Sequence, residues 1–393
     1  MNLAIIIDLA KNLLGLRNKY SGNTRLDGQV VVITGANRGI GKETAYQLSL
    51  RGAKIIIGCR DELRAENAIK EIVSLNPNAN IIHIKLDLSS LQSIRAFVQQ
   101  IYENETKIDL LINNAAIASD IEGKTEDGFE LIFGTSHLGH YLLTLQLLPL
   151  LRKAPKARVI NVSSLAYASG RIHFENINLR NGAFNMMAAN SQSKLATLAK
   201  RLGANTTINA YSLHPGLVDT EWYRHIESPV VKFIAKNVTK MFAMSVERGT
   251  QTTLYCALEE SLDSESGFYY DNCLLVDNMY ANATDDKSAE LLWQLSADLS
   301  NRRLDGQVVI ITGANTGIGK ETAYQLTLRG AKVIIGCRDE LRAENAIKEI
   351  VFRNPNANII HIKLDLSSLQ SIRAFVQQIY ENETKIDILV NNA

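Results

Sequence analysis

The stretch from Arg25 to Ala115 occurs twice in this chain. Its opening, RLDGQVVVITGANRGIGKETAYQL, returns at Arg303 as RLDGQVVIITGANTGIGKETAYQL, and its close, KIDLLINNA, returns as KIDILVNNA ending at Ala393. The differences are few, among them Arg38 against Thr316 and Ser74-Leu75 against Phe352-Arg353. A near-identical period this long is a tandem duplication of part of a domain, not a solenoid, so both copies must adopt one local fold. Within each copy, short β-rich apolar runs alternate with helical patterns. In the first these are Val30 to Thr34, a glycine turn and a helix from Lys42 to Arg51; Lys54 to Gly58 and a charged helix from Asp61 to Ser74; Ile81 to Leu86 and a helix from Leu91 to Glu103; then Asp109 to Asn113. Such alternation predicts an α/β fold with a doubly wound parallel sheet. The first copy continues through a helix at Gly139 to Leu151, a strand at Arg158 to Val162, a helix around Ser191 to Leu202, a strand at Thr207 to Leu213 and a last helix at Asp285 to Leu299. The second copy has no counterpart of these.

Composition narrows the class of partner. The 393 residues are 46% apolar and 21% charged, which describes a soluble globular protein with a full core. Lys plus Arg number 42 against 41 acidic residues, so no overall field draws the chain to nucleic acid or to an anionic membrane, and a small molecule is the expected partner. Cys59, Cys256, Cys273 and Cys337 show no CxxC spacing and read as reduced thiols. His137 and His140 read as core packing, and no metal site is expected. The run Leu3 to Leu16 is shorter than the roughly 20 residues a bilayer span needs. Asp8, Lys11, Asn12 and Gly15 gather on one side of it, so it reads as an amphipathic helix on a surface, either a membrane or the protein's own core.

Gly35, Ala36, Asn37, Arg38, Gly39, Ile40 and Gly41 follow Thr34 between a strand and a helix. There, glycines let a backbone approach a pyrophosphate at a helix N-terminus. The spacing is TGxxxGxG and not GxGxxG, and in this form the turn resembles the short-chain dehydrogenase/reductase family. The resemblance holds from residue 25 to about residue 300. LDLSS, with Asp87 and Leu88, looks like the strand end that contacts adenine; NNAA, with Asn114, matches NNAG except in its last residue. VINVSS resembles the strand ending in the catalytic serine, Ser164. HPGLVDT, with Pro215, Gly216 and Thr220, resembles the turn that closes over nicotinamide. TEDGFE, HLGHYLLT, GRIHF and QSKLA further resemble the retinol dehydrogenase branch, which implies a small lipophilic carbonyl or alcohol as substrate. It also implies a place on the cytoplasmic side, in contact with the endoplasmic-reticulum membrane if residues 3–16 supply the contact.

The second strand ends Gly58-Cys59-Arg60, without the carboxylate that would bind both ribose hydroxyls of NAD. Cationic Arg60, with Arg38 in the glycine turn, suits the 2'-phosphate of NADP(H). The resemblance then assigns four catalytic slots. Ser164 and Lys194 fill two of them, Lys194 also binding ribose. The tyrosine slot, four residues before the lysine, holds Asn190, and the asparagine slot of the proton relay holds Ser136. An amide has the i, i+4 placement but gives up no proton at accessible pH. Between Lys194 and the next strand the segment LATLAKRLGANT is about six residues shorter than the resemblance calls for, roughly a turn and a half of helix. A decayed gene copy and an imperfect gene model account for it equally. Three segments follow: residues 1–24, an amphipathic or membrane-associated lead; 25–300, the dehydrogenase domain; and 301–393, a truncated duplicate of its cofactor-binding half. Three functional readings follow as well: an NADP(H)-dependent oxidoreductase, a dinucleotide-binding pseudoenzyme, or an inactive tandem-gene fusion product.

Overall fold

Val30–Thr34 is buried along its whole length, and so is Ile55–Cys59, which is what a strand covered on both faces requires. In the computed structural model these runs are β1 (Val30–Thr34) and part of β2 (Lys54–Cys59). The structure describes residues 10, 12, 14–197, 208–220, 226–301 and 306–392. These divide into two compact units, one up to Ser300 and one from Asn301.

In the first unit, α1 (Gly39–Ser49), α2 (Glu62–Leu75), β3 (Asn80–Lys85), α3 (Leu91–Asn104) and β4 (Leu110–Asn113) complete the duplicated pattern. A helical run from Leu131 passes through a π-turn at Gly134–Leu138 into α4 (Gly139–Leu151). Then come β5 (Ala157–Val162), α5 (Met186–Ala196), β6 (Ile208–His214), α6 (Pro229–Phe242), α7 (Gln251–Leu258), β7 (Phe268–Asp271), β8 (Leu274–Leu275) and α8 (Asp286–Asn301). The sheet runs β3-β2-β1-β4-β5-β6-β7-β8, parallel except for β8. Alternate side chains feed two cores: Val31, Ile33, Ile55 and Ile57 pack with Ala45 and Leu48 of α1, while Val32, Ile56 and Leu111 pack with Ile94 and Phe97 of α3 and Leu142 of α4. The chain leaves β1 in one direction and re-enters beside it as β4, so the order reverses there. The crevice outside the carboxyl ends of β1 and β4 is where such sheets bind ligands.

Several elements depart from the sequence reading. Asn185 starts α5 by accepting from the backbone N–H groups of Met187 and Ala188, one and a half turns earlier than expected. The segment 198–207, where the helix was expected to be short, lies outside the described residues. So does most of the N-terminal helix expected over residues 3–16. At its described end, Asn12 turns its amide inward to Leu217 O and Phe242 O, both at 3.2 Å, while Leu14 and Leu16 are exposed. Among the described residues no helix is long and apolar enough to cross a membrane.

The second unit comprises β9 (Val308–Thr312), α9 (Gly317–Leu328), β10 (Lys332–Cys337), α10 (Glu340–Arg353), β11 (Ile359–Lys363), α11 (Leu369–Asn382) and β12 (Ile388–Val390). Its parallel sheet, β11-β10-β9-β12, has the strand order of β3-β2-β1-β4. The cover differs. Leu111 and Leu91 of the first unit are 0% and 3% exposed beneath β5 and α4, whereas Leu389 and Leu369 at the matching positions are 60% and 73% exposed.

Candidate active site

The turn after β1 is built without side chains where it approaches its neighbours. Gly35 and Gly39 have φ of +66° and +53°, in the left-handed region. A methyl on Gly35 would stand 2.9 Å from Ala115 Cα, and one on Gly39 would stand 3.0 Å from the Thr220 methyl. The NNAA turn after β4 and the end of HPGLVDT after β6 thus both close on the glycine turn. Helix α1 begins there with no side-chain cap and no acidic residue in its first turn. Its leading N–H groups and positive dipole end are left to an anion, so this donor set fits a dinucleotide pyrophosphate. Arg38 is the residue at the cap position. Behind the turn, the Cys59 thiol sits against the backbone N–H groups of Gly35, Ala36 and Asn37, and burial pushes it up to about 11.

At the end of β3, Asp87 accepts from Ser89 N (2.9 Å) and Ser89 Oγ (2.6 Å) on one carboxylate oxygen. Its other oxygen lies 3.9 Å from Arg60, which is 62% exposed. Arg60 therefore stands at the rim of the same crevice with most of its guanidinium in solvent.

A buried chain of hydrogen bonds locks this end of the sheet. Thr34 Oγ1 accepts from Asn114 N (2.9 Å) and Ala115 N (3.0 Å), filling both lone pairs, so its own proton goes to His140 Nε2 at 2.8 Å. The imidazole must then carry its proton on Nδ1, which donates to Ser136 O at 3.0 Å. Burial holds His140 neutral, down to about 4. Asn114 completes the clamp by donating its amide to Thr34 O at 2.9 Å.

Ser164, half-buried, follows β5 and caps the next turn, its Oγ accepting from Ala166 N at 3.2 Å. Ser163 Oγ donates to Lys194 O at 2.8 Å and pins α5 to the end of β5. Lys194 is buried, donates to Val162 O at 3.2 Å, and is pushed down by desolvation to about 8. Asn190, half-buried, stands one helical turn before it. Ser136 lies inside the π-turn with its hydroxyl buried and no partner for it among the described residues. Pro215 and Gly216 leave β6, and Gly216 has φ +83° with Met244 packed where a side chain would stand. The glycine turn, Asp87, Asn114, Ser164 and Pro215 thus follow the carboxyl ends of β1, β3, β4, β5 and β6, and Lys194 is held to the end of β5 through Val162 O.

Thr34, His140 and Asn113 are the residues that sequence reasoning underused. Asn113 donates to Thr144 Oγ1 (3.0 Å) and Asn161 Oδ1 (2.8 Å), tying β4 to α4 and β5. The signal was the i, i+4 spacing of Ser136 and His140 beside an apolar helix. A cavity of about 130 Å³ lined by Ser136, Asn113, Leu292 and Trp293 lies behind this strip and touches neither Ser164, Asn190 nor Lys194. Among the described residues no group of His, Cys, Asp and Glu could hold a metal.

The pattern that defines the short chain dehydrogenase family matches residues 29–230 and again residues 307–393. The chain is similar to retinol dehydrogenase 12 of Mus musculus, at 42% identity over 283 residues, covering 70% of this chain and 88% of that protein. Retinol dehydrogenase 13 of Homo sapiens is 42% identical over 286 residues, covering 70% and 85%. Among solved structures, an uncharacterized protein from Mycobacterium paratuberculosis matches with a TM-score of 0.58 at 31% identity, over 72% of this chain and 98% of that one. A short chain dehydrogenase from Escherichia coli solved with NADPH shares the fold at 20% identity and a TM-score of 0.50, over 64% and 99%.

Proposed function

The chain belongs to the short-chain dehydrogenase family, in its retinol dehydrogenase-like branch, and from that premise we propose an NADP(H)-dependent oxidoreductase of lipophilic aldehydes or ketones and their alcohols, weakened at its proton-donating step. The family uses a nicotinamide dinucleotide. Here the Gly35–Gly41 turn and the start of α1 would hold the pyrophosphate, Asp87, Leu88 and Asn114 the adenosine side, and Lys194 the ribose, with Pro215, Gly216 and Thr220 over the nicotinamide. Arg60 and Arg38 favour the 2'-phosphate. The cofactor, when bound, supplies or takes the hydride.

The chain's own residues do the rest. Ser164 Oγ already accepts from Ala166 N, which leaves its proton to donate to the substrate oxygen. Lys194 places a cation in the same buried strip. Asn190 can donate a hydrogen bond to that oxygen but cannot release a proton to it. The product oxygen takes its proton from water, and loss of a positioned acid is worth about 10²- to 10⁴-fold in rate.

The observation that carries this reading is the coexistence of a closed dinucleotide cradle with an amide in the tyrosine slot. It equally favours the second reading, a dinucleotide-binding protein without turnover. Residues 301–393 repeat the cofactor-binding half, and we read them as its tandem duplicate. The test is NADPH oxidation with retinal by the full chain and by Asn190→Tyr, alone and with Ser136→Asn. Slow turnover raised by the tyrosine, with NADPH affinity held, is the expected result. Turnover abolished by Ser164→Ala but indifferent to Asn190→Ala would place the acid elsewhere. Equal affinity for NADPH and NADH would overturn the roles given to Arg60 and Arg38.

A further inference from the structure

Helix α6 turns an apolar crest outward. Val230, Phe233 and Met241 are 67%, 69% and 67% exposed, and at 100° per residue they fall within about 80° of one another around the axis. The opposite side is the seated one, where Thr239 is buried. Lys232, Lys236 and Lys240 form a ladder at i, i+4 and i+8 along one flank of the crest, and the last two are exposed. No carboxylate interrupts the chain between Glu227 and Glu247.

Two tethers extend this crest at its ends. Ahead of the helix, the Asp120 carboxylate accepts from Glu227 N and Ser228 N, each at 2.8 Å, which brings the exposed Ile121 to the N-terminal end of α6. At the other end, the Asn12 amide donates to the carbonyl of Phe242, the last helical residue, so Leu14 and Leu16, 69% and 61% exposed, lie beside it. At this described end Asn12 faces the protein, and Leu14 and Leu16 face out.

An apolar crest with lysines on one shoulder and no acidic residue is the composition of a helix that lies in a lipid interface. Lysine stems reach up along such a crest while their ammonium groups stay with the headgroups. The near-zero net charge of the whole chain does not oppose this, because at physiological salt a surface charge acts over only about 8 Å. We propose that α6, together with Leu14 and Leu16, seats the protein on an anionic lipid surface, with Phe233 and Met241 in the acyl boundary and Lys236 and Lys240 at the phosphates.

The test is co-sedimentation of the full chain with phosphatidylcholine vesicles, with and without admixed phosphatidylserine. We expect partitioning at least about tenfold stronger on the anionic vesicles, and a loss of about that size in Phe233→Asp/Met241→Asp and with added salt. A second measurement does not depend on a charge being tolerated. The four native cysteines are buried, so Phe233→Cys can be labelled selectively with an environment-sensitive fluorophore, whose emission should shift to the blue on anionic vesicles. No binding by the parent chain, equal binding to neutral vesicles, an unshifted label, or binding lost in Leu14→Asp but retained in the α6 double variant would each overturn the proposal. The last result would assign the contact to the N-terminal segment alone.

Discussion

Gly41→Ala probes the cradle with the smallest possible change. The added methyl would stand 2.5 Å from Asn114 Nδ2, 2.7 Å from Gly35 O and 2.9 Å from Ala36 Cα. Two of these neighbours are backbone, and the third is held, because Asn114 Nδ2 already donates to Thr34 O at 2.9 Å. No partner can withdraw without opening either the glycine turn or the clamp to β4. Overpacking of this kind costs about 1–3 kcal/mol. Gly41 lies in α1 with no positive φ, so the cost is steric and not conformational. That distortion falls on the backbone proposed to hold the pyrophosphate, and at about 1.4 kcal/mol per decade it predicts a loss of roughly 5- to 150-fold in NADPH affinity. Fluorescence titration with NADPH measures it, and a thermal melt should show a fall of a few degrees, since each kcal/mol is worth about 2–4 °C in a unit of this size. A dissociation constant within twofold of the parent, with an unchanged melt, would refute the closed geometry of the turn.

Lys194→Met should raise stability at pH 7. Burial depresses the folded-state lysine from 10.5 to about 8, so the buried charge is a penalty below pH 8 that is relieved as pH rises toward 10.5. The gain is at most about 3 kcal/mol and should shrink toward pH 10 in urea titrations. His137 and His140 are buried and neutral, lowered to about 3 and about 4 from 6.5. Their contribution is complete above pH 6.5 and is lost as pH falls, with a slope up to about 2.7 kcal/mol per unit between 6 and 4.5 that His137→Gln should halve. Residues 301–393 made alone should not melt cooperatively, because Leu389 and Leu369 lack the cover their counterparts have; a sharp monomeric transition would contradict this.

The parts of this fold that could be read from sequence are those whose periodicity is local. β1, β2, α3 and α4 were legible because apolar runs or helical spacing mark both their ends. α6, α7, β7 and β8 were not. The polar residues Lys232, Lys236 and Lys240 of α6 sit between apolar ones that face solvent, which masks a helix if apolar is taken to mean buried. An arginine that opens a strand, as Arg158 does in the sequence reading, would ordinarily face solvent. It is buried instead, donating to Cys256 O (2.9 Å), Glu259 O (2.8 Å) and Asp263 Oδ1 (2.6 Å), partners about a hundred positions away. The candidate site divides the same way. Ser164, Asn190 and Lys194 were assigned by the family resemblance of their motifs, but the Thr34–His140 bond joins residues 106 apart and no family motif announces it.

The burial of Cys59 behind the glycine turn makes it a natural clock for that turn. A thiol raised to about 11 and shielded by the backbone of residues 35–37 reacts only while the turn is open. Its modification rate therefore counts local openings of the cradle in the resting protein. Cys337 occupies the matching position against Ala314 and Asn315 in the second unit, so the same reagent times both cradles in one sample. Cys256, on the buried face of α7 far along the chain, sets the pace of wider unfolding. A dinucleotide that closes the first cradle would slow Cys59 and leave Cys256 as it was.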